Sequence, residues 1–123
     1  MFDKELALSS LDRIRSTIDT IYERAATVKT ADDFLLSPEG MLRLDAICMN
    51  LIALGESVKG LDKQTGGELL TLYPEIYWSG VMRMRDKIAH HYFDVDVDVV
   101  MLTIKEDLPP MSKAIDKIIS DLQ

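Results

Sequence analysis

The chain has 123 residues, 47% of them hydrophobic and 28% charged, with a formal net charge of −7 and a pI near 4.7. That length suits one domain over 1–123 with a single core, and the acidic balance argues against broad, sequence-independent nucleic-acid binding, which needs a positive field. No apolar run reaches the roughly 18 residues of a membrane span, the start Met1-Phe2-Asp3-Lys4-Glu5 lacks the pattern of a secretion signal, and the lone Cys48, set among Ile47, Met49, Leu51 and Ile52, can form neither an internal disulfide nor a zinc cluster; a reducing cytoplasm is the expected setting.

Apolar spacing is mostly helical. From about Asp3 to Val28, residues Leu6, Leu11, Ile14, Ile18, Ile21, Tyr22 and Ala25 recur at threes and fours, which predicts a helix with one buried face. Thr30-Ala31-Asp32-Asp33 can cap a short helical turn. Ser37-Pro38-Glu39 reads as a start signal, with a cap residue, a proline at the first helical position and an acid in the first turn. It opens a second long helix, Pro38 to about Lys59, carrying Met41, Leu44, Ile47, Cys48, Leu51, Ile52, Leu54 and Val58 on its period, with Gly60 as its end.

Residues 61–73, with Gly66-Gly67, read as a loop containing a turn. A third helix is expected from about Pro74 to Tyr92, with Gly80 as a point of interruption. Phe93 to Val99 alternates like a strand, but Asp96 and Asp98 favour a helix N-terminus, so the stretch reads as a turn into a fourth helix, Val97 to Gln123, that Pro109-Pro110 must kink. Asp94, Asp96 and Asp98 imitate the start of a calcium loop, but the required glycine and terminal glutamate are missing. The expected fold is all-α: an antiparallel four-helix up-and-down bundle with a kinked last helix.

Chemistry concentrates in Arg83-Met84-Arg85-Asp86-Lys87-Ile88-Ala89-His90-His91-Tyr92, which holds both histidines and three basic residues within five positions of an acidic chain. Imidazole takes and gives protons near neutral pH. A guanidinium fork holds a phosphate and stabilises charge that builds on it. RNA brings its own nucleophile, the 2′-hydroxyl. Arg85 and His90 are therefore close to a minimal set for cutting RNA by internal transesterification, with no metal or cofactor required. On one straight helix, however, five residues rotate by about 140°. Arg85 and His90 would diverge unless the helix loosens near Ala89 or two copies meet across a two-fold axis.

The pattern Arg85-x4-His90-x-Tyr92 resembles the R-x4-H-x-Y signature of the HepT-like toxins of the HEPN class. The flanks agree: Tyr73-Pro74-Glu75-Ile76-x-Trp78 ahead of it, Gly55-Glu56-x-Val58-Lys59 on the preceding helix, Phe93-x-Val95-Asp96-x-Asp98-x-Val100 after it, and Leu108-Pro109 at the kink. The likeness is densest over about 44–110.

The resemblance implies a homodimeric helical bundle that sets the Arg and His of both chains in a shared cleft. It implies metal-independent cleavage of RNA, transfer RNA among the targets, and pairing with a minimal nucleotidyltransferase antitoxin that adenylylates the motif tyrosine, here Tyr92. Phosphates added there would fill the anion site beside Arg85 and His90. Carried over residue by residue, Arg85 orients and stabilises the scissile phosphate and His90 is the general base or acid. Asp86 stands where the family more often has asparagine; it can position Arg85 or repel phosphate. Glu56 is a charge partner from the neighbouring helix or a plain exposed acid. Arg83, Lys87 and His91 are RNA contacts or a solvated helix face, and Trp78 is packing rather than a base-stacking platform. The alternative function is a non-catalytic helical subunit that binds a nucleotide or docks on a nucleotidyltransferase.

Overall fold

In the computed structural model, residues 2–91 and 94–123 are described, without the side chains of His90 and His91. The first helix, α1 (Lys4–Ala25), begins where Asp3 accepts a hydrogen bond from the Leu6 amide, and it buries Leu11, Ile14, Ile18 and Ile21 completely, as the period predicted, with Ala7 in place of the half-exposed Leu6 and with Tyr22 and Ala25 only partly covered. A single turn, α2 (Asp32–Leu35), follows. It is capped differently from the expectation: Ala31 is the capping residue, and the Asp33 carboxylate reaches back to the amides of Lys29 (2.7 Å) and Thr30 (3.1 Å). Those two amide donors hold the Asp33 pKa below the usual carboxylate range.

The long central helix, α3 (Pro38–Gln64), starts as read, with Ser37 Oγ accepting from the Gly40 amide at 2.9 Å. Its end differs. Gly60 is an interior position with open space around it, and the helix runs on to Gln64, past which Gly66 (φ 60°) and Gly67 (φ 75°) take the left-handed backbone that stops a helix cleanly. The following loop holds one 3₁₀ turn (Leu70–Leu72).

The expected third helix is the largest departure. It starts later, at Trp78, and consists of two short helices, α4 (Trp78–Met82) and α5 (Met84–Ile88), joined at Arg83 (φ −103°, ψ 28°) rather than broken at Gly80. It ends four residues short of Tyr92. Ala89 is extended (φ −145°, ψ 127°), and Ala89–His91 forms strand β1, which pairs antiparallel with β2 (Asp94–Val95). The alternation at 94–95 is thus a strand after all, if a two-residue one. Val81, Met84 and Ile88 stay buried across the joint at Arg83, so the apolar period continues through a break it cannot reveal.

Helix α6 (Val97–Leu102) begins at the predicted residue, with Asp96 as its cap: the carboxylate accepts from the Val99 amide at 3.1 Å while its own amide donates to the last carbonyl of α5, Ile88, at 2.8 Å. A π-helical segment (Thr103–Asp107) then leads into α7 (Leu108–Leu122). The prolines explain that segment. Neither Pro109 nor Pro110 has an N–H, so the Lys105 carbonyl loses its donor in both the α and the π pattern, and the helix rewinds around the defect.

The buried side chains of α1, α3 and α7, with Trp78, Met84, Ile88 and Val100, form one cluster, so the structure is all-α apart from the small hairpin. Arg15 ties α1 to α7, donating to the Ser112 carbonyl (2.6 Å) and hydroxyl (2.9 Å) and pairing with Asp116. Tyr73 is held by Asp121 at 2.6 Å, and the Trp78 indole donates to the Tyr73 carbonyl at 2.9 Å, which makes Trp78 a core residue. Burial and the hydrogen bond to a carboxylate push the Tyr73 hydroxyl up to about 12. No helix among the described residues is long and apolar enough to cross a membrane. Cys48 is buried, and desolvation pushes its thiol up to about 11. It is expected to stay unmodified by an aromatic disulfide reagent at neutral pH until denaturant unfolds the chain; fast labelling of the native protein would contradict this burial.

Candidate active site around the helix α5 hairpin

Helix α5 is short, and its rotation fixes where each basic residue goes. Met84 and Ile88 point into the core. At 100° per residue, Arg85 and Lys87 then fall on opposite flanks of α5, with Asp86 facing outward between them. All three are exposed. The Lys87 ammonium meets Asp107 across the groove to the α7 entrance, at 2.5 Å. Arg83, at the joint, donates to the Tyr77 hydroxyl at 2.9 Å. Among the described residues, Arg85 and Asp86 have no ion pair or side-chain hydrogen bond, so Asp86 does not hold the Arg85 guanidinium in place.

The backbone of His90 lies in β1, two residues beyond the end of α5. The 140° helical offset between positions 85 and 90 therefore does not apply, because the chain leaves the helix at Ala89. The side chains of His90 and His91, and Tyr92 altogether, lie outside what is described, as does Phe93. The pairing of β1 with β2 seats these strands directly after α5 and before α6, so the described part of the signature runs from the exposed flank of a helix into strand β1.

Glu56 is exposed on α3, one of the two settings its sequence position allowed. It lines a polar cleft between α1 and α3 with Ser10, Arg13 and Gln64, where Ser10 donates to Gln64 at 2.9 Å. Its neighbour Gly55 has the clearer role. A Cβ there would lie 2.6 Å from the Val81 carbonyl oxygen and 2.9 Å from Met84 Cβ, so glycine is what lets the α4–α5 pair sit against α3. Reading the sequence alone missed this position as a determinant of the site; Gly55 in mid-helix, where glycine is costly, was the available signal. Among the described residues, no three His, Cys, Asp or Glu side chains cluster as a metal site would require.

The family described as "Ribonuclease HepT-like" matches residues 9–118. Among curated proteins, one of Thermococcus cleftensis named "Probable ribonuclease HepT" is 33% identical over 108 residues, 88% of this chain and 91% of its own length. One of Methanocaldococcus jannaschii named "Putative RNase MJ0127" is 31% identical over 94 residues, 76% of this chain and 72% of its own. One of Caldanaerobacter subterraneus named "Putative RNase TTE0752" is 28% identical over 109 residues, 89% and 90% of the two chains. No solved structure gives a significant match. With a family match that spans nearly the whole chain and takes in both the α5 helix and the hairpin after it, this chain belongs to the HepT-like ribonuclease family.

Proposed function

We propose that the chain is an RNA-cleaving enzyme in which Arg85 grips the scissile phosphate and His90 moves the proton. The observation that carries this reading is the end of α5 at Ile88: it leaves Arg85 on an exposed flank and releases His90 from the helical phase that would point it away. In the proposed step the 2′-hydroxyl loses its proton to His90 and attacks the adjacent phosphorus. The bond from phosphorus to the 5′-oxygen breaks, and that oxygen leaves with a proton from a second acid or from water. The products are a 2′,3′-cyclic phosphate and a 5′-hydroxyl. Arg85 offsets the charge that gathers on the non-bridging oxygens.

Arg83 is a second contact for the RNA backbone, as is His91. Lys87 contributes less, because Asp107 already neutralises it. A homodimer that joins two such flanks in one cleft, silencing by adenylylation at Tyr92, a nucleotidyltransferase partner and a toxin role complete the proposal, in a cytoplasmic setting. Cleavage of RNA by the purified protein in excess chelator, leaving cyclic phosphate ends, is the expected result, as is a mass gain on Tyr92 after co-expression with a nucleotidyltransferase. Intact RNA under those conditions would reject the metal-independent reading. The exposed Asp86 beside Arg85 favours a second reading, a non-catalytic nucleotide- or partner-binding subunit; it predicts binding in the same assay with no turnover.

A further inference from the structure

On the Lys87 flank of α5 lies a groove of about 230 Å³, between α4–α5 on one side and the π segment and start of α7 on the other. Its floor is apolar: Val81, Met84 and Met111. One wall is Tyr77, 71% exposed, its ring resting on Gly80, where a Cβ would come within 2.7 Å of it. The rim carries three exposed carboxylates, Glu75, Glu106 and Asp107, against the ammonium of Lys87 and the Arg83 guanidinium that donates to the Tyr77 hydroxyl.

An apolar floor with an acidic rim rejects phosphate and suits a chain that offers hydrophobic side chains between cations. We propose that this groove docks a basic, amphipathic segment of a partner protein. An apolar side chain of that segment enters against Met84 and Met111, its lysines or arginines meet Glu75 and Glu106, and one of them competes with Lys87 for Asp107. The two flanks of α5 then serve different partners, an anion at Arg85 and a cationic segment here. This assignment stands on the groove alone and does not depend on the chain cutting RNA.

The test uses the whole protein and a short labelled amphipathic peptide with Lys on one face and Leu on the other, with a Glu/Leu peptide of the same length as control. Fluorescence anisotropy is expected to show binding of the Lys/Leu peptide only, weakening with added salt. Glu75→Gln with Glu106→Gln is expected to weaken it about tenfold, and Tyr77→Ser by a similar factor. Glu75 and Glu106 are exposed, so the melting curve of their double variant should be unchanged, whereas Tyr77→Ser also loses the ring's contact with Gly80 and the hydrogen bond from Arg83, so its binding is read at a temperature where its melting curve shows it folded. Asp45→Gln with Glu39→Gln, both exposed on α3, removes the same charge elsewhere and is expected to leave binding intact. Equal weakening by the α3 variants would reduce the effect to net charge and overturn the proposal. So would binding that ignores the groove variants. A wild-type dimer that falls apart in those variants would assign the groove to a second copy of this chain instead.

Discussion

Replacing His90 with alanine is expected to slow RNA cleavage by about a hundredfold to ten-thousandfold, the usual contribution of a positioned proton-transfer group. Arg85→Ala is expected to cost about a hundredfold to a thousandfold, as removal of a charge-stabilising donor commonly does. Arg85→Lys should recover little, because an ammonium cannot offer the planar two-pronged geometry to a phosphate. Arg85 is exposed and has no structural partner among the described residues, so its variants should melt as the wild type does. Initial rates on a labelled RNA in chelator, read beside melting curves, check this. A His90→Ala protein that cuts at the wild-type rate would remove His90 from the chemistry.

Gly55→Ala is expected to destabilise the fold by about 1–2 kcal/mol, and Gly55→Val by about 3 kcal/mol or more. Alanine gains up to about 1 kcal/mol in a helix interior. Against that, its Cβ would sit 2.6 Å from a backbone oxygen of Val81, and forcing a carbon into a packed interface costs about 1–3 kcal/mol. The cost wins because the Val81 carbonyl belongs to α4 and can retreat only by carrying the α4–α5 pair off α3. Arg85 rides on that pair, so catalysis should fall in Gly55→Ala even where the protein remains folded. Gly60→Ala is the control: nothing lies within 4 Å of the added carbon, and it should gain about 0.5–1 kcal/mol. Urea melts of the three variants decide the matter, and a Gly55→Ala protein as stable as Gly60→Ala would contradict the described packing.

Much of the fold was written in local chemistry. Ser37 with Pro38 marks the start of α3, and Asp96 marks the start of α6, because each cap is a hydrogen bond made within three residues. The kink upstream of Pro109 follows from two missing N–H groups. What failed depended on distance or on conformations that leave no period. Gly60 looks like a stop but sits in open space, where glycine is merely tolerated; the stop that works is the pair with positive φ further on. The turn out of the helix at Ala89 is invisible because the core positions Val81, Met84 and Ile88 are already in step and Ala89-His90-His91 bears no strand signature; only the alternation from Phe93 hinted at the second strand. The hairpin is held instead by Asp96 donating to Ile88.

The candidate site divides the same way. Arg85 was legible as a candidate because basic residues concentrate around it in an acidic chain; its exposed flank came only with the rotation of α5. The pairing of Lys87 with Asp107, twenty residues on, was not, since nothing near Lys87 in sequence announces that partner. Nor was the placing of Glu56 in the cleft with Arg13, which depends on how α1 lies along α3.

Groups that act together on one phosphate do not lose activity independently. The most direct measurement is the cleavage rate of the Arg85→Ala, His90→Ala double variant beside the two single variants, in chelator and on one RNA. A double variant no slower than the poorer single variant is the expected result. Losses that multiply, or a single variant that keeps full activity, would mean that guanidinium and imidazole do not share the reacting phosphate.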